Sequence, residues 1–273
     1  MDNIKVIGID PAPSKKSTIF DGENFCEKNY NELIEYLDFI KKEHKKVLIC
    51  WDAPLSFSLS SSSPFTKRDI EKFFSQKKWC KTPTGISVLG YAGCPHWAIS
   101  QYILGYPKIS NFEKCFEPPF KLVFENEITT HSVTEVHPAV AIWLWCKNDI
   151  DDFRYKKGKQ TVSEWDNVFG EILEILVNKG ILNEDIYNKI EKLAKAKKDD
   201  YLDAYVAWKL GSDWINKKTE PENKYIKILG DNKTGSFLLP YNKELFEKFD
   251  KFIKPDEKEQ SKKNDKIILK ECH

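Results

Sequence analysis

The sequence predicts an α/β fold in which helices cover both faces of a mixed sheet. Two short apolar runs, at 4–9 and 47–51, have the composition of strands buried on both sides, and an aspartate closes each of them. Stretches with apolar residues at helical spacing follow these runs, which is typical of a sheet with parallel members. With 273 residues, the chain is long enough for one large packed domain.

Turn residues and periodicity predict the other elements. Residues 17–20 and 24–26 indicate a hairpin around an Asp-Gly turn. A first helix is predicted over 31–43, with Asn31 as its N-cap. The further predicted strands are 131–136 and 235–240, and the further predicted helices are 67–77, 95–104, 139–147, 163–179, 184–196 and 199–216.

The domain organisation follows from composition along the chain. We predict one domain over residues 1–253, interrupted by a long insertion of helices and loops over about 55–130. That insertion opens with a serine-rich stretch, and six prolines divide it into short pieces. Residues 254–273 are mostly charged or polar, which predicts a solvated C-terminal tail.

Composition narrows the classes of function. The 43 Lys and Arg nearly balance the 42 Asp and Glu, so bulk charge does not indicate a nucleic-acid partner, and any basic groove would be local. No apolar run approaches the roughly 18 residues that span a bilayer, and the N-terminus lacks a signal-peptide layout. The seven cysteines are odd in number and scattered, which favours a reducing compartment. We therefore expect a cytoplasmic protein with no membrane partner.

Acidic residues stand at or near the ends of the predicted strands. Asp10 and Asp52 close the two buried strands, and Glu135 lies near the end of the third. Asp200 and Asp203 are spaced i, i+3 at the start of a later helix, so both are predicted on one helix face. Sites in such folds gather beyond the carboxyl ends of the strands. We therefore expect four or five carboxylates to converge there.

Convergent carboxylates predict a metal centre. Like charges in a poorly solvated cleft repel one another, and a bound cation offsets that repulsion. Hard oxygen ligands select Mg²⁺ or Mn²⁺. Two such ions roughly 4 Å apart would activate water and stabilise the leaving oxygen in phosphodiester hydrolysis. Taken singly, each acid also has a structural explanation, because aspartate is frequent in turns and near helix starts.

Several of these segments resemble one known family. In order along the chain, they are VIGIDP at 6–11, WDAPL at 51–55, EVHP at 135–138, DYLDA at 200–204 and GSFLLP at 235–240. They look like the motifs of the bacterial and archaeal family catalogued as domain of unknown function 429 (DUF429). That family is described as predicted nucleases of RNase H-like fold. The resemblance implies an RNase H-like α/β domain and a nuclease whose substrate is DNA or RNA.

The acidic positions are also similar to those of the RuvC-type Holliday-junction resolvases. By that likeness, Glu135 would be an additional acid, and the catalytic metal ligands would be Asp10, Asp52, Asp200 and Asp203. The second position differs, because the resolvases have the longer glutamate where this chain has Asp52. The loop after the first strand also differs, with Pro11-Ala12-Pro13 where a resolvase-like loop has glycine and small residues.

Weaker candidates for substrate binding lie nearby. Arg68 belongs to an Arg-Asp pair that resembles one in the same family, and its planar guanidinium suits a phosphate. A surface salt bridge is the alternative for Arg68. His137 is either a general base or a structural histidine. A lysine cluster before the acidic helix would add a phosphate track or form a solvated face: Lys195, Lys197 and Lys198.

Three functions stay open at this point. The first is a Mg²⁺- or Mn²⁺-dependent nuclease. The second is an actin-like phosphotransferase or ATPase, with Asp10 beside a phosphate loop, although residues 11–16 lack the glycines that such loops need. The third is a non-catalytic binding protein that retains the fold. A metal site at Cys80, Cys94 and His96 is a separate possibility, but their spacing fits no standard zinc pattern.

Overall fold

The structure is a computed structural model, and it describes most of the predicted domain. The described residues are 4–12, 15–55, 67–76, 119–125, 128–150, 153, 162–194, 196–216 and 226–254. The predicted helix at 95–104, most of the predicted insertion and all of the predicted tail beyond residue 254 lie outside them.

A mixed sheet of six strands forms the centre of the described chain, in the order β3-β2-β1-β4-β6-β5. Its members are β1 (Lys5–Asp10), β2 (Ser17–Phe20), β3 (Phe25–Lys28), β4 (Val47–Trp51), β5 (Lys121–Leu122) and β6 (Ser132–Glu135). The first three strands form an antiparallel meander. On the other side of β1, β4 and then β6 add in parallel. The predicted α/β class with a mixed sheet is therefore confirmed.

Helices and a small second sheet surround these strands. The helices are α1 (Tyr30–Glu43), α2 (Asp69–Phe74), α3 (Pro138–Cys146), α4 (Val162–Asn178), α5 (Glu184–Glu191), α6 (Lys198–Asn216) and α7 (Lys243–Ile253). The antiparallel pair β7 (Ile226–Asp231) and β8 (Gly235–Pro240) touches the main sheet through a parallel bridge between Val136 and Leu238. Within the described chain, no helix is both long enough and apolar enough to cross a membrane.

The alternation of side chains along β1 and β4 separates two cores. Ile7 and Ile9 pack with Leu33 and other residues of α1 on one face. Val6 and Leu48 pack with α6 on the opposite face. All five residues of β4 are buried, because helices cover the sheet on both sides. The apolar run at 47–51 is therefore a strand buried on both faces, as its composition predicted.

Helix α6 lies unusually close to the sheet. A β-carbon at Gly8 of β1 would stand 2.1 Å from the Ala204 carbonyl oxygen and 2.3 Å from the Trp208 nitrogen. A β-carbon at Gly211 would stand 2.2 Å from the sulfur of Cys50 in β4. Glycine is required at both points of contact, since any side chain would push the helix away. This packing sets the distance between the start of α6 and the carboxyl ends of the strands.

Most predicted elements are present, and their boundaries differ in places. The strands at 17–20, 47–51 and 235–240 match the structure residue for residue. The prediction that Asn31 caps α1 is wrong. Asn29 caps it instead, accepting from the backbone of Glu32 at 3.1 Å while the Glu32 carboxylate accepts from the Asn29 backbone at 2.8 Å.

Three other differences concern the second half of the chain. Helix α5 ends at Glu191, five residues before the predicted end. Strand β7 was not predicted, and its side chains lack a regular alternation of buried and exposed residues. Helix α7 was not predicted either, although Leu245 and Phe249, its two buried residues, are four positions apart, as an amphipathic helix requires.

The contact at Gly8 gives a test of the packing. We expect Gly8→Ala to lower the free energy of unfolding by about 2 kcal/mol or more, because backbone atoms of α6 occupy the space of the added methyl group. Gly170→Ala in α4 is the control, since nothing lies within 4 Å of a β-carbon there. That control should be neutral or stabilise by up to about 1 kcal/mol through helix propensity. Urea denaturation measures both, and equal stability of the two variants would contradict the packing.

Candidate metal centre

Three aspartates meet at the carboxyl ends of β1 and β4. Asp10 is the last residue of β1, Asp52 follows β4 directly, and Asp203 lies in the second turn of α6. One carboxylate oxygen from each lies within 4.8 Å of the other two. Asp203 is fully buried, whereas Asp10 and Asp52 are partly exposed. We call these three residues the aspartate triad.

The sheet register brings Asp10 and Asp52 together. Ile9 and Trp51 are paired across the parallel strands, and the Asp52 nitrogen donates to the Ile9 carbonyl at 3.0 Å. Ile9 and Trp51 face α1, so the residues that follow them face α6. Asp203 precedes Ala204, the residue whose carbonyl lies against Gly8. The close packing of α6 therefore places Asp203 above the two strand ends.

The triad fits a single hard divalent cation. Its donors are carboxylate oxygens, which Mg²⁺ and Mn²⁺ prefer. Two ligands on opposite sides of a Mg²⁺ ion are about 4.2 Å apart, given bonds of about 2.1 Å. Adjacent ligands on such an ion are about 3.0 Å apart, so the three oxygens, all within 4.8 Å of one another, would move closer together by side-chain rotation to bind one ion.

Asp200 lies beside the triad and has a different partner. Its carboxylate forms an ion pair with Lys15, from the loop between β1 and β2. Residues three apart on a helix differ by about 60° in direction, so Asp203 faces the sheet while Asp200 lies at the edge of the cleft. The side chain of Asp200 is 18% exposed, against full burial for Asp203. The two acids lie in one helix at the predicted spacing, and they differ in burial and in partner.

Glu135 points away from the triad. It pairs in register with Trp51, so its side chain leaves the sheet on the face opposite to Asp52. Its carboxylate accepts from Arg68 Nη1 at 2.8 Å, from Arg68 Nη2, and from the Leu55 backbone nitrogen at 3.0 Å. Burial raises the pKa of this carboxyl, and the charge and hydrogen bonds of Arg68 oppose that effect without cancelling it. The structure therefore does not bring Glu135 to the metal centre.

Arg68 lies inside the protein rather than at a phosphate. Besides Glu135, it binds Glu71, with 2.7 Å from its Nε to Oε1 and 2.7 Å from its backbone nitrogen to Oε2. The three side chains are at most 2% exposed, and we call them the buried ion network. Through Leu55, the network attaches the segment after Asp52 to β6 and α2. Arg68 thus supports the position of Asp52 and is not accessible to a substrate.

The other predicted site residues also have structural partners. The ring of His137 is buried and packs edge-on against Phe237, with the ring centres 4.9 Å apart. Lys197 forms an ion pair with Glu27, and Lys198 forms ion pairs with Glu191 and an aspartate of α4. Two of the three lysines in the phosphate track predicted before α6 are therefore paired with carboxylates of the protein. Lys195, the third lysine of that cluster, lies outside the described residues. The three residues of the possible zinc site also lie outside them: Cys80, Cys94 and His96.

Two residues of the site region were not predicted from the sequence: Glu71 and Lys15. Glu71 stands three positions after Arg68, the spacing of an ion pair on a helix, so its signal was present. Lys15 has no such local signal, because its partner Asp200 is 185 positions away. The only indication in the sequence was that Lys15 is a basic residue five positions after Asp10, the acid that ends β1.

Comparisons with known proteins found no match, so the function is argued from the geometry of the site. The chain matched no protein-family model, no curated protein and no solved structure. The resemblance to DUF429 therefore stays a prediction. What the structure adds is the meeting of Asp10, Asp52 and Asp203 from three separate parts of the chain.

The buried ion network predicts a large loss of stability when its cation is removed. Arg68→Met would leave two carboxylates buried without their arginine, so we expect the free energy of unfolding to fall by about 3–5 kcal/mol. Lys72→Met, in the helix that Arg68 precedes, removes a partly exposed ion pair with Asp69 and should cost less than about 1 kcal/mol. Both are measured by urea denaturation. Wild-type stability in Arg68→Met would instead favour the phosphate contact predicted from the sequence.

Proposed function

We propose that this chain is a nuclease of RNase H-like fold that depends on Mg²⁺ or Mn²⁺ and hydrolyses phosphodiester bonds of nucleic acid. The observation that carries the proposal is the aspartate triad, in which carboxylate oxygens of Asp10, Asp52 and Asp203 lie within 4.8 Å of one another. Three like charges held so close, one of them fully buried, are stabilised most simply by a divalent cation.

The position of the triad supports the fold assignment within the α/β class. It lies beyond the carboxyl ends of two adjacent parallel strands, where ligands bind in open α/β sheets. The same three aspartates occupy three of the four ligand positions implied by the likeness to the RuvC-type resolvases. The fourth, Asp200, stands three residues before Asp203 on α6 and forms an ion pair with Lys15. Sheet order, helices on both faces and acidic positions all agree with an RNase H-like domain.

The chain's own residues would divide the work in the following way. A divalent ion held by the triad would supply Lewis-acid activation of a phosphodiester and of the attacking water. Asp203 is rigidly placed, because it is buried and α6 is packed directly on β1. Asp10 and Asp52 are partly exposed, which leaves one side of the triad accessible to a substrate. With a net charge of +1, the protein would rely on this local site rather than on bulk charge to bind a polyanion.

Substitution in the triad tests the metal site. We expect Asp203→Asn to abolish Mn²⁺ binding in isothermal titration calorimetry, because it removes the buried ligand. The metal-free variant should be at least as stable as the wild type, since one of three mutually repelling charges is gone. Asp213→Asn, farther along α6 and paired with Lys209 at 2.7 Å, is the control that should bind Mn²⁺ normally. Failure of the wild type to bind Mn²⁺ would overturn the proposal.

Activity is tested on a panel of substrates. Single-stranded, duplex and branched DNA and RNA are incubated with Mn²⁺ or Mg²⁺, and ATP hydrolysis is measured alongside. We expect cleavage of at least one nucleic acid that requires the divalent ion and is lost in Asp10→Asn. ATP hydrolysis without cleavage would favour the nucleotide-handling alternative. Mn²⁺ binding with neither activity would favour a non-catalytic protein.

A further inference from the structure

Lys15 stands at the edge of the aspartate triad. The loop after β1 turns back into β2, and its Ala12 backbone nitrogen donates to the Ser17 hydroxyl at 3.2 Å. Lys15 lies two residues before Ser17, and its ammonium forms an ion pair with Asp200 of α6. The Lys15 side chain is 57% exposed, and that of Asp200 is 18% exposed. The pair is therefore more accessible to solvent than Asp203, the buried member of the triad.

The positive charge of Lys15 acts on a member of the triad as well as on Asp200. Its ammonium interacts electrostatically with Asp10, which is a member of the triad, and with Asp199 at the start of α6. The surroundings of Asp10 therefore include the two other triad carboxylates and the positive charge of Lys15. Lys15 forms an ion pair with Asp200, whereas Lys197 pairs with Glu27 and acts on Asp200 only electrostatically.

A second metal ion would have to compete with this ammonium. In two-ion sites, the ions are about 4 Å apart and share the surrounding carboxylates. Asp200 stands three residues before Asp203 on α6, which makes it a candidate ligand for such an ion, and its carboxylate is already paired with Lys15. A divalent ion at that place would both displace Lys15 from Asp200 and be repelled by it.

We propose that the aspartate triad binds a single divalent ion and that Lys15 supplies the second positive charge of the site. In this arrangement the ammonium occupies the place of a second ion and is the group that meets a phosphate oxygen of the substrate. The proposal rests on the proposed function in requiring the triad to bind metal. It differs from the two-ion mechanism that the sequence alone predicted.

The number of bound ions tests this arrangement directly. Isothermal titration with Mn²⁺ should give one ion per wild-type chain. Lys15→Met frees the Asp200 carboxylate and removes the competing charge, so this variant should bind two. Lys16→Met is the matched control, since it removes the same charge from the next position, which is exposed, and should still bind one. The double variant Lys15→Met with Asp200→Asn should return to one ion.

Each outcome separates the two proposals. Two ions in the wild type, or one ion in a Lys15→Met variant that keeps the wild-type circular dichroism spectrum, would overturn the role of Lys15 and leave the metal site intact. Absence of Mn²⁺ binding in the wild type would overturn the metal site itself and the one-ion arrangement with it. If Lys15→Met fails to fold, Asp200→Asn in the wild-type background should still bind one ion, and a loss of binding there would contradict the proposal.

Discussion

The direct contact between helix α6 and strand β1 is the constraint on which the site depends. Gly8 lets the helix backbone rest on the strand, with Ala204 and Trp208 where a side chain would otherwise lie. Asp203 precedes Ala204, so the same contact brings a buried carboxylate over the strand ends. A helix held one side chain farther away would leave Asp10 and Asp52 facing open solvent. The site is therefore a consequence of packing as much as of the acids themselves.

The sheet register assigns different roles to two acids that look alike in the sequence. Asp52 and Glu135 both lie at the carboxyl ends of adjacent strands. Asp52 is one position beyond the paired residues Trp51 and Glu135, and side chains alternate between faces along a strand. Asp52 therefore joins the triad under α6, and Glu135 joins the buried ion network. The longer glutamate finds an arginine there, which offsets the cost of burying its charge.

The buried ion network and the aspartate triad differ in how the repulsion between their carboxylates is offset. In the buried ion network, an internal arginine lies between two carboxylates and is fully buried with them. In the aspartate triad, three carboxylates share a cleft that is partly open to solvent, with Lys15 at its edge. A protein that keeps like charges together at an accessible point gives up some stability, which is typical of functional sites. The first group therefore stabilises the fold, whereas the second has the accessibility that the proposed metal binding needs.

Local patterns in the sequence were sufficient for much of the fold and for the main acids of the site. The strands at 17–20, 47–51 and 235–240 follow from short apolar runs and turn residues, which reflect interactions between near neighbours. Asp10 and Asp52 could be paired from the sequence, because the carboxyl ends of parallel strands meet at one edge of a sheet. Asp203 could be added because it stands on the apolar side of its helix.

The partners of the charged residues depended on contacts between distant parts of the chain. Arg68 and Glu135 are 67 positions apart, and Lys15 and Asp200 are 185 apart. No periodic pattern carries such information, since each pair forms only once the strands have their register and α6 is packed on the sheet. That is why the residue types at the site were foreseen, whereas the exclusion of Glu135, the burial of Arg68 and the presence of Lys15 came from the folded chain.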